Sequence, residues 1–258
     1  MPAPRALWYA PVSRQAAGAI SPDGSRVFTA DADRGRLNIC AAGVLVDSRD
    51  LLKPLPENLH FMASPDGQTV VASTGHYVTA WRSDGTRLFS RAGSQVNRGI
   101  AFSADSKRFV TWTDNSVSVW AIDSIVPVGE FALFGVSDAA LSADSGLVIL
   151  ASPRGTDIRS PTGTLVRNLA PTGHVDVRGD ELLVAGDGDV SLWSIASGTM
   201  TAQTHALAGD GEFLGHSNRI AVRNGSTVRI WDPNLTVRYK EAVQTGALAR
   251  FAQSLLTP

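Results

Sequence analysis

Histidine and carboxylate side chains, the groups that bind divalent metals and activate water, occur at the starts of four apolar, strand-like segments of this chain. They are His60, Asp138, His174, Asp176 and Glu212. If those segments lie side by side, the five side chains converge, and a metal held among them would suit hydrolysis. No fixed spacing motif joins them, however, and polar groups lining a water-filled channel are the commoner outcome. Whether the five side chains bind a metal or only line a channel depends on the strands that position them.

Two arginines, Arg178 and Arg250, lie on the same kind of segment. A guanidinium at a channel entrance can clamp a carboxylate or a phosphate of a bound peptide. An ion pair with a neighbouring acid, Asp176 or Glu212, is the alternative that we favour. The sequence contains no GxSxG elbow, no phosphate-binding GxxxxGK[ST] loop and no dinucleotide fingerprint. Nucleophilic catalysis and nucleotide chemistry therefore find no support, and no cofactor is expected.

Composition describes an ordinary folded protein. The chain has 258 residues, 43% hydrophobic and 18% charged, with a formal net charge of -1. This balance gives no electrostatic reason to expect nucleic acid or membrane partners. The single cysteine, Cys40, excludes an intramolecular disulfide and favours a reducing, cytoplasmic setting. We expect one domain over residues 1–258. Only three of the 23 basic residues are lysines, a bias that fits a GC-rich coding genome and favours a bacterial source.

An internal repeat dominates the sequence. Four segments each join two apolar runs through a turn of Ser, Pro, Asp or Gly: AISPDGSRVFTA (19–30), MASPDGQTVVAS (62–73), AFSADSKRFVTW (101–112) and ALSADSGLVILA (140–151). Weaker copies follow at 175–186 and 212–223. Alternating apolar runs around such turns predict β-hairpins. A second hairpin follows each copy, so the predicted unit has four strands, labelled a to d.

The third strand of each unit ends at a marker position. The markers are Trp8, Cys40, Trp81, Trp120, Arg159, Trp193 and Trp231. The strand at Trp8 lacks its first two strands, and the gap across the chain termini is as long as one repeat. Residues 246–256 would supply the missing strands, giving a closed, seven-bladed, all-β propeller. Helical spacing of the apolar residues at 248–256 leaves an alternative, six blades plus a terminal helix or strand.

The SPDG turns at 21–24 and 64–67, with Ile230-Trp231-Asp232, resemble the WD40-repeat β-propellers. Trp231-Asp232 is the only Trp-Asp pair, and Gly173-His174 and Gly215-His216 lie too close to their third strands for the usual Gly-His position. The repeats are therefore degenerate, and we expect apolar packing and hairpin turns to hold the blades together. The resemblance implies a rigid, non-enzymatic platform for a protein or peptide, with the d-to-a loops and b-to-c turns as the usual docking face.

Several residues are candidates for such a face. The connector 47–58 carries Leu51, Leu52 and Leu55 on a stretch stiffened by two prolines, and these leucines either contact a partner or cap the space between two blades. Trp112 is a large indole where other repeats have small residues, so it is either an interaction hot spot or a filler between blades. The turn residues are Asp31, Arg34, His76, Arg154 and Asp187.

We therefore expect an interaction scaffold whose protein or peptide partner is encoded separately or is a second copy. The alternative is a small metal-dependent propeller hydrolase or lactonase that uses the channel cluster. The oligomeric state is left open by the sequence.

Overall fold

The computed structural model describes residues 18–21, 26–31, 36–41, 44–50, 59–74, 77–93, 95–186, 188–205, 209–214, 219–224, 227–236 and 238–243. Within these ranges the regular structure is β-strand throughout, as the repeats predict. No helix in this part of the chain is long and apolar enough to cross a membrane.

The described strands form six four-stranded sheets, which we number as blades in chain order. Blade 1 contains β1 (Gly18–Ile20), β2 (Arg26–Asp31), β3 (Arg36–Ala41) and β4 (Val44–Asp50). Blade 2 contains β5 (Leu59–Ala63), β6 (Thr69–Thr74), β7 (Tyr77–Arg82) and β8 (Arg87–Ala92). Blade 3 contains β9 (Gly99–Phe102), β10 (Arg108–Trp112), β11 (Ser116–Ala121) and β12 (Gly129–Ala132).

The second half of the chain repeats this plan. Blade 4 contains β13 (Asp138–Leu141), β14 (Val148–Ser152), β15 (Gly155–Arg159) and β16 (Leu165–Leu169). Blade 5 contains β17 (His174–Arg178), β18 (Glu181–Gly186), β19 (Asp189–Ser194) and β20 (Met200–His205). Blade 6 contains β21 (Asp210–Leu214), β22 (Arg219–Asn224), β23 (Thr227–Trp231) and β24 (Arg238–Val243).

Each blade is an antiparallel meander whose strands pair in chain order, a to b to c to d. The a strands of successive blades contact one another, β1 with β5, then β9, β13, β17 and β21 in turn. The a strands therefore form the inner side of the assembly and the d strands its outer edge. Residues 1–17 and 244–258, which would complete a seventh blade or form the alternative tail, lie outside the described residues, so the blade count stays a prediction.

Apolar packing between neighbouring sheets forms the core. Five buried clusters each span two successive blades. Between blades 2 and 3, for example, Phe89, Phe109 and Trp120 stack with ring centroids 5.7 to 6.3 Å apart. The marker tryptophans pack against the preceding blade in each cluster that contains one. All five residues of β14 are buried, so both faces of this strand are covered, and a blade with such strands needs a neighbour on each side.

Arg159 occupies the marker position of blade 4 and uses different chemistry to reach the preceding blade. Its guanidinium lies 5.7 Å from the ring centroid of Phe131 on β12. Asp157 accepts hydrogen bonds from Arg159 Nε and Nη2 at 3.0 and 2.7 Å, and Asn168 Nδ2 donates to the other carboxylate oxygen at 2.7 Å. Pairing lets this arginine occupy the position where blades 2, 3, 5 and 6 have a tryptophan.

Hydroxyl and carboxylate groups tie the a-to-b turns across blades. Ser103 Oγ donates to Asp105 Oδ1 within the turn of blade 3, and Ser145 Oγ of blade 4 donates to the same oxygen at 2.5 Å. Blades 2 and 3 are joined in an equivalent place, where the backbone N–H of Asp66 donates to Ser106 Oγ at 3.0 Å. Partial burial acts to raise the pKa of the Asp105 carboxyl. The hydrogen bonds from Ser145 and Ser103 outweigh this effect and hold that pKa below its ordinary value.

One sequence prediction is wrong in its bounds. The connector predicted over 47–58 begins later, because β4 extends through Asp50 and pairs with β3 along its length. Residues 51–58, including Leu51, Leu52 and Leu55, lie outside the described residues.

Candidate functional site

The b-to-c turns and d-to-a loops lie at one end of the blades, which we call the loop face. Its described parts include the turns at Thr113–Asn115 and Pro153–Arg154 and the loop 133–137. Leu133 N donates to Asn115 O at 3.1 Å and Gly135 N donates to Asp114 O at 2.9 Å. The loop is therefore fixed to the turn beside it.

Phe134 stands at the tip of that fixed loop with 71% of its surface exposed. Gly135 adopts a positive φ of 71°, which a residue with a Cβ adopts at a cost, and a Cβ there would lie 3.2 Å from Pro153 Cδ. The backbone thus turns tightly against Pro153 and presents the phenyl ring outward. Arg154, a predicted face residue, is exposed on the next turn.

A bidentate ion pair lies beside this loop. Arg98 Nε and Nη2 donate to Asp114 Oδ1 and Oδ2, each at 2.8 Å. The hydrogen bonds from Arg98, with its charge, hold the pKa of the Asp114 carboxyl below its ordinary value. The loop face therefore combines an apolar ring with a fixed pair of opposite charges.

The channel side of the loop face holds most of the predicted ionisable cluster. His174, the first residue of β17, places Nε2 3.5 Å from Asp138 Oδ2 on β13. The same Asp138 oxygen accepts a hydrogen bond from Val175 N at 2.9 Å. Burial raises the pKa of the Asp138 carboxyl, and the His174 charge and the backbone hydrogen bonds only partly oppose it.

Asp176 repeats this arrangement one blade later. Its Oδ2 accepts from Phe213 N of β21 at 2.7 Å and its Oδ1 from Val177 N at 2.8 Å. Burial raises the pKa of Asp176 against those hydrogen bonds. Glu212 on β21 belongs to the same group, since burial and the nearby Asp176 charge raise the pKa of its carboxyl. Four of the five predicted residues therefore come together.

His60 on β5 contributes differently from the prediction. Burial and the charge of Arg98 lower the pKa of its imidazole, so its electrostatic neighbour is an arginine rather than the carboxylates. Neutral imidazole is the form that such surroundings favour.

Arg178 forms its ion pair with an acid other than the two predicted, although its charge also acts to lower the pKa of Asp176. Its guanidinium pairs with Glu181, with Nη2 2.7 Å from Oε2, and lies 4.3 Å from the ring centroid of Phe213. Arg178 is the last residue of β17 and His174 the first, so the two lie at opposite ends of one strand, roughly 13 Å apart at the usual rise per residue. The hairpin turn brings Glu181 to Arg178, which sequence spacing alone did not reveal. Arg250 lies outside the described residues.

Metal binding finds no support in this cluster. Among the described residues, no group of three or more His, Cys, Asp or Glu side chains is arranged to hold a metal ion. The geometry gives a reason, because Asp138 and Asp176 each direct an oxygen at a backbone N–H of the next blade.

Comparison with known proteins shows which fold these sheets form. No protein-family model matches the sequence, and no curated protein matches it. Among solved structures, the crystal structure of the C-terminal WD40 domain of Sif2 superimposes with a TM-score of 0.70 at 18% identity, covering 89% of this chain and 72% of that one. The chain has a WD40-like β-propeller fold. At this identity the likeness concerns the fold alone.

Within this WD40-like propeller, Trp112 is a core residue. It is 5% exposed and packs with Val110, Val136 and Leu150 between blades 3 and 4, which is the gap-filling alternative. A buried indole offers no surface to a partner. Asp187, Arg34 and His76 lie outside the described residues. Sequence reasoning missed Phe134, although an aromatic beside a glycine in a predicted d-to-a loop was the available signal.

Proposed function

We propose that this WD40-like propeller is a non-enzymatic scaffold that binds a protein or peptide on its loop face. The observation that carries the proposal is the exposed Phe134 ring on a loop fixed by two backbone hydrogen bonds. Aromatic side chains held rigidly at a surface are frequent anchors of protein interfaces, because they bury a large area with little loss of conformational entropy.

The surroundings of Phe134 support the same proposal. Exposed Arg154 and the Arg98–Asp114 ion pair provide a polar rim, and Asp138, which begins β13 directly after the loop, adjoins it on the inner side. An apolar centre with a charged rim is the usual composition of an interaction surface. The cytoplasmic location and the contribution of Leu51 and Leu52 remain part of this proposal.

Affinity capture from the native host tests the proposal with a pair of matched variants. Phe134→Asp places a charge at the proposed anchor, whereas Val126→Asp makes the same change at a 66% exposed valine in the c-to-d turn, at the opposite end of blade 3. We expect Phe134→Asp to remove a partner that wild type and Val126→Asp both retain, with the melting temperature unchanged. An identical set of captured proteins from all three would contradict the assignment of the loop face.

A further inference from the structure

The gap between blades 2 and 3 is apolar along only half its height. Near the a-to-b turns it is filled by Val71, Ala80, Phe89, Phe109 and Trp120. Toward the loop face the same two sheet surfaces turn polar and leave a pocket. Its lining includes Thr111, Thr113, Ser118, Gln95, Arg91 and Glu130.

A small side chain stands next to this polar half of the gap. Ser73 of β6 is the counterpart of Trp112 of β10, 39 residues later, just as Trp81 is the counterpart of Trp120. Trp112 packs in the gap between blades 3 and 4, whereas Ser73 offers only a hydroxymethyl group at the equivalent position between blades 2 and 3. Ser73 is 0% exposed, and its Oγ has no hydrogen-bond partner among the described residues. It lies opposite Val78, which lines the pocket.

Both charges at the pocket mouth keep unused hydrogen-bonding capacity. Arg91 Nη2 donates to Glu130 Oε2 at a long 3.3 Å, and the guanidinium lies 5.3 Å from the Trp120 ring centroid. Within the described part of the chain, Arg91 Nε and Nη1 contact no acceptor and Glu130 Oε1 contacts no donor. Arg91 and Glu130 stand on the facing d strands β8 and β12, so a ligand entering from the outer edge passes between them.

Neutral hydrogen-bonding groups follow inside the mouth. Thr113 Oγ1 donates to Gln95 Oε1 at 2.8 Å, and Trp120 Nε1 donates to Thr111 Oγ1 at 3.0 Å. The half-buried Ser118 hydroxyl, on the row between Thr111 and Glu130, makes no hydrogen bond among the described residues. Such a row can accept and donate to a small polar side chain.

We propose that this pocket binds a small zwitterion, a free α-amino acid with a polar side chain. The ligand carboxylate pairs with Arg91, its ammonium group pairs with Glu130, and its hydroxyl or amide bonds to Ser118 and Gln95. The adjacent opposite charges favour a ligand that carries both charges on groups bonded to one carbon, because each charged group then loses its water only where it gains an oppositely charged partner. This site is separate from the loop-face surface around Phe134.

An NMR titration of the ¹⁵N-labelled full chain tests the proposal. The probes are L-serine, L-asparagine and L-glutamine, compared with ethanolamine, which lacks the carboxylate, and N-acetyl-L-serine, which lacks the ammonium group. We expect at least one amino acid to bind saturably, with a dissociation constant on the order of 1 mM for so small a ligand. Ethanolamine and N-acetyl-L-serine should bind at least about tenfold more weakly, since each loses one charged contact.

Three variants connect binding to the pocket. Ser118→Leu should abolish binding by filling the cavity, and Arg91→Gln should weaken it at least about tenfold by removing the carboxylate partner. Ser90→Ala, on the opposite face of the strand that carries Arg91, is the control and should bind as wild type does. If circular dichroism shows that Ser118→Leu is unfolded, the test of whether binding occurs in this pocket depends on Arg91→Gln alone.

The proposal is overturned by any of three results. They are no saturable binding of the three amino acids, binding unchanged in the folded pocket variants, and ethanolamine or N-acetyl-L-serine binding as tightly as L-serine. The last result would show that one charge suffices and that the site does not recognise zwitterions.

Discussion

Asp176 of β17 accepts a hydrogen bond from the backbone N–H of Phe213 on β21, with 2.7 Å between Oδ2 and N. Asp138 makes the same contact to Val175 one blade earlier. The a strand is the inner edge of its sheet, so the N–H groups that point away from the b strand have no partner within the blade. These two carboxylates supply that partner and join blades 4, 5 and 6 along the channel.

Asp176→Asn should raise the melting temperature at pH 7 by a few degrees. Because burial raises the pKa of Asp176, the folded state binds the proton more tightly than the unfolded chain does. Wild type therefore carries a destabilising charge above that raised pKa, and it recovers the lost stability as the pH falls toward the ordinary value of 3.8. Asparagine removes the charge, and its single amide oxygen keeps the contact with Phe213 N but not the second contact with Val177 N. Denaturant unfolding between pH 4 and 7 should show the difference between variant and wild type shrinking as the pH falls.

Asp176→Ala is the matched comparison. It removes the charge and the acceptor together, leaving the Phe213 N–H unpaired at a cost of about 1–3 kcal/mol. The alanine variant should be less stable than the asparagine variant at every pH. Equal stability of the two would show that the hydrogen bond contributes nothing.

Ser145→Ala should destabilise the a-to-b turns by about 1 kcal/mol, since it removes the hydroxyl that bonds Asp105 in the preceding blade. Because the pKa of Asp105 is held low, this contribution is fully present above pH 3.8 and is lost as the pH falls through the folded-state pKa. Ser145 has a positive φ of 60°, so Ser145→Gly, which removes the hydroxyl but relieves the backbone, should be less damaging. Urea unfolding at pH 7 separates the two, and an alanine variant as stable as wild type would exclude the interblade bond.

Gly99→Ala should destabilise the propeller by roughly 1–3 kcal/mol through overpacking. A Cβ at position 99 would lie 2.2 Å from Cζ2 of Trp112, the residue paired opposite it. Trp112→Leu makes room for the methyl group, so the double variant should lose less than the sum of the single losses. A double-mutant cycle by urea unfolding measures this coupling. If the two losses of unfolding free energy simply add, the Trp112 indole does not contact position 99.

Deleting residues 247–258 should abolish cooperative unfolding if the chain closes as seven blades, because a ring that loses inner strands exposes sheet edges and apolar faces on both sides of the gap. Calorimetry of the truncated and full chains tests this. A truncated protein with an unchanged melting temperature would instead favour six blades and a dispensable tail.

The sequence by itself determined the blades. Turn residues such as Ser64, Asp66 and Gly67 fix each hairpin locally, and strict alternation decides which face of a strand is buried, so strand order and register follow from short-range chemistry. The convergence of His174 with Asp138 was also foreseeable, since equivalent positions in neighbouring repeats must lie side by side.

Only the tertiary structure decided how those blades meet. That Trp112 is core while Phe134 is exposed, and that a pocket opens between blades 2 and 3, depend on how neighbouring sheets pack. That Arg178 pairs with Glu181 depends on the register of the β17–β18 hairpin within one blade. The pattern of apolar residues along one strand indicates which of its faces is buried. It does not indicate which side chains of the neighbouring blade pack against that face. The physical reason is that packing between blades is a property of pairs of surfaces, and these pairs form only after each sheet has folded.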